Sequence, residues 1–236
     1  MPKLNEQFVD ACLKMSDAEK SKLSDSEREL FGQSSIKLKC LLNNLCSKDA
    51  TRYLELGTSR GSTLISALYG NLKSHAVGVD DFSYDFREPK KIAPDDNGWS
   101  NVKSGLYDIL KKYELIDDIP SKSLKIIESK FEDISWSSQP KVDLIFCDLE
   151  PITEEVYDNF FKKVFNAMSR QCVVIFSGYS SETYSPMLEN KVEEYSDRLV
   201  TEFKHQRISS SCADSFGYYS GIAVYGFRKK AFAKND

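Results

Sequence analysis

The stretch Tyr53-Leu54-Glu55-Leu56-Gly57-Thr58-Ser59-Arg60-Gly61-Ser62-Thr63-Leu64-Ile65-Ser66-Ala67-Leu68 decides the fold. It reads as a short buried strand, a turn held by two glycines and then an amphipathic helix. Gly57 stands where a strand-to-helix turn demands positive φ or a close backbone approach, both open to a residue without Cβ. Gly61 lets the first helical turn lie against the strand or against a ligand. The loop then directs free backbone N–H groups, at the positive end of a helix dipole, toward whatever sits above the strand. Glu55 is out of character, because a carboxylate inside a strand is costly unless something cationic or rich in donors lies beside it. A ligand carrying both an anionic and an ammonium group satisfies both halves of the loop. The bland alternative is a strand–turn–helix that binds nothing.

Working outward, residues 1–32 are polar, with helical apolar spacing at Phe8, Cys12 and Met15, and predict one or two short helices acting as a cap. Ile36, Cys40, Leu41 and Leu45 mark an amphipathic helix between Gln33 and Cys46 that leads into the first strand. A second strand, Ala76–Val79, ends at Asp80-Asp81. An irregular stretch from Phe82 to Ser100 precedes a helix through Tyr113. Strands follow at Leu124–Ile127 and Val142–Cys147. Tyr157, Phe160, Phe161, Val164, Phe165 and Met168 line one face of a helix predicted over Glu154–Met168. A fifth strand, Cys172–Phe176, a helix over Met187–Arg198 and strands near Leu199–Phe203 and Gly217–Phe227 complete the chain. Strands alternating with helices and ending in consecutive strands imply an α/β protein with a mostly parallel sheet covered on both faces.

The central loop resembles motif I of the class I S-adenosylmethionine-dependent methyltransferases, Glu/Asp-x-Gly-x-x-x-Gly, and especially the small-molecule and glycan O-methyltransferases, whose loop begins Glu-Leu-Gly. Many relatives have a third, central glycine; here that position is Ser59, whose hydroxyl suits a carboxylate. A dinucleotide loop requires glycine also at positions 59 and 62, and both are serine; a phosphate loop requires Gly-Lys-Ser/Thr, which does not follow. The resemblance, running over residues 33–228, implies a Rossmann-like, doubly wound, seven-stranded sheet with an antiparallel last strand. It divides the chain into an N-terminal cap, 1–32, and a methyltransferase domain, 33–236.

In such sheets ligands lie beyond the carboxyl ends of the strands near the point where strand order reverses. The resemblance therefore assigns S-adenosylmethionine to Glu55, Gly57, Thr58, Ser59, Gly61 and Ser62 of the loop. Asp80 is its expected ribose acid, with Asp81 as the alternative and Phe82 beside the adenine. Lys130 and Phe131 follow the third strand where relatives carry the adenine-bracketing acid and small residue; a turn with an anchoring phenylalanine is the competing reading. Asp148, directly after the fourth strand, is the expected catalytic acid or base facing the methyl donor, with Glu150, Tyr179 and His205 as further candidates. Metal-dependent relatives add an Asp-Asp or Asp-Asn pair after the fifth strand, where this chain has Ser177-Gly178, so no metal is expected. His75 precedes the second strand, on the side of the sheet away from the site. The interleaved aromatics and acids of Phe82–Ser100, and the segment Ser209–Gly221, read as an acceptor lid or as plain surface loops.

Composition narrows the partners. Across 236 residues the formal net charge is −4, which offers no broad attraction to a phosphate backbone, so nucleic acid is not expected. No apolar run approaches a membrane span and residues 1–6 contain no signal-peptide core. The six cysteines are scattered without a Cys-x-x-Cys pair, which fits a reducing cytoplasm. The leading expectation is methyl transfer to a small hydroxylated acceptor such as a sugar. Alternatives are N-methylation of an amino sugar or protein side chain, and a degenerate cofactor-binding protein with a structural or regulatory role. Acceptor identity and oligomeric state are not legible.

Overall fold

The computed structural model describes residues 4–30, 32, 34–83, 102–113, 124–150, 152–208 and 221–230. Its centre is a seven-stranded sheet: β1 Arg52–Leu56, β2 His75–Asp80, β3 Leu124–Glu128, β4 Val142–Cys147, β5 Met168–Ser177, β6 Leu199–Arg207 and β7 Ile222–Lys229. The strand order is β3-β2-β1-β4-β5-β7-β6. Pairings from β3 through β5 are parallel, and β7 runs antiparallel to both β5 and β6. The chain winds outward from β1 to β2 and β3, then returns to place β4 on the other side of β1. That reversal opens a crevice at the carboxyl ends of β1 and β4.

Strict alternation along the strands builds the two cores. Tyr53, Leu144, Phe146, Val173 and Ile175 face one side, and Leu54, Leu56, Ile145, Val174 and Phe176 the other. On the first side lie α1 Glu6–Asp17, α3 Ile36–Cys46, α4 Ser62–Leu68 and α5 Val102–Lys112; on the second, α6 Glu154–Lys163 and α7 Tyr184–Glu194. A one-turn helix, α2 Asp25–Arg28, joins α1 to α3. The polar N-terminal region, expected to form one or two short helices, thus forms two. Side-chain caps begin several of these helices: Asn5 accepts from the Phe8 N–H, Ser35 from Leu38 and Thr153 from Val156.

Several elements differ from expectation. The α3 helix is not half-exposed: from Leu38 to Cys46 every residue is buried, since α1 covers the face turned from the sheet. Asn43 survives there because its amide donates to the Ser66 and Tyr69 carbonyls that α4 leaves open. The predicted helix over Glu154–Met168 ends at Lys163, followed by a tight turn at Val164–Asn166, and Met168 opens β5, beside Val142. A short apolar run is compatible with either period, and both the helix and the strand bury it in the same core. The helix expected over Met187–Arg198 spans Tyr184–Glu194, and β6 extends to Arg207. Residues 217–220, expected in the last strand, lie outside the described residues, as do 84–100 of the expected lid.

Candidate functional site

The loop between β1 and α4 is laced to both neighbouring strands. The Gly57 and Thr58 N–H groups donate to the Val79 carbonyl at 2.9 and 3.3 Å, and the Asp148 N–H donates to the Leu56 carbonyl at 2.9 Å. Gly57 has φ +85°, and a Cβ placed on it would lie 2.1 Å from the Asp148 carbonyl oxygen. Gly61 has φ +80°, with its missing Cβ occupied by the Leu106 side chain at 2.3 Å. Both glycines are therefore demanded by the geometry. Ser59 takes φ +46°, a left-handed conformation usual for glycine, at the position where many methyltransferases have one.

Asp80 explains how that conformation is held. One carboxylate oxygen accepts the Ser59 N–H at 2.6 Å, and the other accepts the Phe82 N–H at 2.7 Å. Phe82 also has positive φ, +51°, so the acid at the end of β2 fixes two left-handed residues on two loops. Burial raises the Asp80 carboxyl, the N–H donors pull against it, and neighbouring Asp81 adds to the rise. Asp81 is turned to its own loop, accepting from the Ser83 N–H and hydroxyl.

Glu55 is fully buried beneath the loop. Its Oε2 accepts the Tyr53 hydroxyl hydrogen, while Oε1 has no hydrogen-bond partner among the described residues. The Tyr53 contact was not anticipated, although the strand period of two places residues 53 and 55 on one face. Burial pushes the Glu55 carboxyl up to about 8, the Tyr53 and Thr63 hydroxyls work downward, and Asp148 and Asp80 push it higher. Among the described residues Glu55 forms no ion pair. Thr58 Oγ1, also buried, is without a partner among the described residues. These orphaned buried atoms call for partners, a donor for the Glu55 oxygen above all, that the described residues do not supply.

Asp148 is half-buried just past β4, where burial raises its carboxyl and the Ser177 hydroxyl opposes the rise. Glu150 is exposed nearby, its carboxyl raised by burial and by Asp148. The structure therefore brings together Glu55, Gly57, Thr58, Ser59, Gly61, Ser62, Asp80, Phe82 and Asp148. Phe131 is packed into the core, its carbonyl accepting the Trp136 indole N–H, and Lys130 lies exposed. The Tyr179 hydroxyl donates to Glu189 and accepts from the Gln206 amide. His205 lies on the outermost strand, against Phe203 and toward α1. Neither residue joins the group around Glu55. Among the described residues no cluster of three or more His, Cys, Asp and Glu could hold a metal ion.

No protein-family model matches the sequence, and no characterised protein matches it significantly. Solved structures do match. An S-adenosylhomocysteine-bound methyltransferase from Podospora anserina superposes with a TM-score of 0.58 at 15% identity, over 97% of each chain. The fold is the Rossmann-like methyltransferase fold. An O-methyltransferase from Bacillus cereus in complex with S-adenosylhomocysteine matches with a TM-score of 0.52 and 14% identity, over 95% of this chain and 92% of that one. A Pyrococcus horikoshii protein, provisionally described as an RNA methyltransferase, gives 0.51 and 13%, over 97% of this chain and all (100%) of that one.

Proposed function

We propose that this chain is an S-adenosylmethionine-dependent methyltransferase acting on a small hydroxylated acceptor by O-methylation. The observation that carries this reading is Glu55: a buried carboxylate with one oxygen unpartnered among the described residues, under a loop of left-handed residues and flanked by Asp80 and Asp148. Such a site calls for a ligand with a cationic end, an anionic end and hydroxyl donors. An amino-acid end supplies an ammonium for Glu55 Oε1 and a carboxylate for the loop hydroxyls of Thr58, Ser59 and Ser62, since the Gly57, Thr58, Ser59 and Gly61 N–H groups are already engaged within the protein. Asp80 keeps lone pairs in addition to those engaged by Ser59 and Phe82, and these accept ribose hydroxyl hydrogens. The fold's solved neighbours bound to S-adenosylhomocysteine support the same choice of cofactor.

The cofactor, when bound, supplies an electrophilic methyl group on a sulfonium. The chain's own contribution is orientation, exclusion of water and management of one proton. Asp148 carries the last of these. Its carboxyl, raised by burial, takes the proton of an acceptor hydroxyl as the methyl group is transferred, and the Ser177 hydroxyl orients it. Glu150, two residues on, is a further acid that could meet a polar acceptor.

Nucleic acid fits less well as acceptor, given the net charge of −4. The cysteines at 12, 40, 46, 147 and 172 are all free thiols, which supports a reducing cytoplasmic setting. The test is thermal: S-adenosylmethionine and S-adenosylhomocysteine should raise the melting temperature by mass action, and NAD should not. Stabilisation by NAD alone overturns the cofactor. An acceptor screen reading S-adenosylhomocysteine formation then separates an enzyme from a protein that only binds.

A further inference from the structure

The Tyr53–Glu55 pair carries a consequence for how ligand binding is regulated, resting on the cofactor reading above. Glu55 has one oxygen occupied by the Tyr53 hydroxyl and one with no partner among the described residues. Thr63 of α4 turns its hydroxyl to the same carboxyl. Among the described residues the other titratable groups facing it are Cys46 from α3, Asp80 at the end of β2 and Asp148 just past β4, and none of these brings a positive charge. A carboxylate so placed gains nothing from its surroundings except hydroxyl dipoles. Keeping it ionised costs more than holding a proton on it.

We propose that Glu55 carries a proton in the absence of ligand, held in the pair with Tyr53, and that engagement of an ammonium group at Oε1 expels that proton to solvent. The O–H bond of the carboxylic acid breaks, the electron pair stays on the carboxylate, and water or buffer takes the proton. Ligand uptake and proton release then become one event. Tyr53 acts as a positioning residue: its donated hydrogen bond favours the ionised form and leaves Oε1 as the oxygen that faces the ligand. The direction of the Glu55 shift agrees, since its carboxyl stands near about 8 rather than its ordinary 4.5. Affinity should therefore fall close to tenfold per unit as pH drops below about 7.

The experiment is isothermal titration calorimetry of the full chain with S-adenosylhomocysteine at pH 6.5, in two buffers of unlike ionisation enthalpy. At that pH the ligand's own amino group, with an ordinary value of about 7.7–8.0, stays protonated and contributes no proton. Wild type should release close to one proton per ligand bound. Methylthioadenosine, which shares the nucleoside but lacks the amino-acid end, should bind without release. Tyr53→Phe should bind several-fold more weakly and still release a proton, which loss of packing alone does not predict. Glu55→Gln should release none. Wild-type binding without release, or undiminished release from Glu55→Gln, overturns the proposal and leaves the cofactor assignment standing. Absence of any binding overturns both.

Discussion

The Asp80 carboxylate accepts the Ser59 N–H at 2.6 Å across the gap between the first two strand-end loops. Its second oxygen holds the Phe82 N–H, and both donors are in left-handed conformations. The acid therefore shapes the cradle itself, beside the ribose role proposed for it. Asp80→Ala should weaken S-adenosylhomocysteine binding and lower stability together, each on the order of 1–3 kcal/mol. Asp80→Asn should be milder, because an amide oxygen still accepts one of the two N–H groups. Calorimetry and thermal melts of both variants check this, with Asp81→Ala as comparison. Full affinity in both Asp80 variants and a loss in Asp81→Ala would move the ribose role to Asp81.

Gly57 meets the Asp148 backbone so closely that no Cβ fits, and its φ of +85° is separately unfavourable to L residues. The carbonyl it would strike is the Asp148 backbone directly after β4, which cannot yield as a side-chain tip can. Gly57→Val should cost roughly 3 kcal/mol or more, combining left-handed strain with displaced backbone. It should also abolish the ligand-induced rise in melting temperature. A variant that melts like wild type and still responds to ligand would show that the loop is not built as described.

Much of this loop was legible in the sequence. Gly57 and Gly61 separate a run of period two from one of period 3.6, and that change is a local property. The placement of Asp80 followed equally from the end of an apolar strand. Less local features were not readable. The burial of α3 depends on α1 lying over it, the strand identity of Met168 depends on Val142 beside it, and Phe131 turned into the core rather than the crevice. His205 and Tyr179 each follow or lie in strands that reach the correct edge of the sheet. Their lateral distance and partners were set by the order β5-β7-β6, which no segment reveals alone.

Glu55 should make the protein less stable as pH rises. Its carboxyl titrates near 4.5 in the unfolded chain and near about 8 in the fold. The contribution to stability is fully present below the lower value and is lost as pH rises through the upper one. Glu55→Gln removes that loss, so its melting temperature without ligand should exceed wild type by a margin that grows from about pH 5.5 to about pH 8.5. The gain at the upper end should be on the order of a few kcal/mol. Binding should suffer at the same time, a trade of function for stability. A margin independent of pH would show that Glu55 is not held protonated by its burial.

At the opposite ends of these strands, Arg52 and Asp143 form a fork, with Nε–Oδ2 at 2.9 Å and a second bond at 2.6 Å. Burial works to raise the Asp143 carboxyl, but the Arg52 guanidinium and the Ser169 hydroxyl overcome it and hold it below the ordinary 3.8. Its stabilisation is present above that value and is lost as pH falls through the lower, folded one. Arg52→Met should cost about 1–3 kcal/mol, reduced from the fully buried case because 40% of the Arg52 side chain is exposed. The loss should fade in acid, and ligand should still raise the melting temperature. A loss of ligand response would tie this pair to the site.

Asp148 should matter for turnover more than for cofactor affinity, and no divalent cation should be needed. A hard cation takes several oxygen ligands, and after β5 the chain offers Ser177 and Gly178 rather than acids. The Ser177 hydroxyl is already directed at the Cys147 carbonyl, 3.2 Å away, and at the Asp148 carboxyl. In the proposed reaction the Asp148 carboxyl, raised by burial, takes the proton of the acceptor hydroxyl instead. With an acceptor in hand, Asp148→Asn should lower kcat at least tenfold, about 1.4 kcal/mol of barrier, with little change in S-adenosylhomocysteine affinity. EDTA should leave the wild-type rate unchanged. Activity lost in EDTA and restored by Mg²⁺ or Mn²⁺ would recast Asp148 as a metal ligand, with Glu150 a candidate to join it.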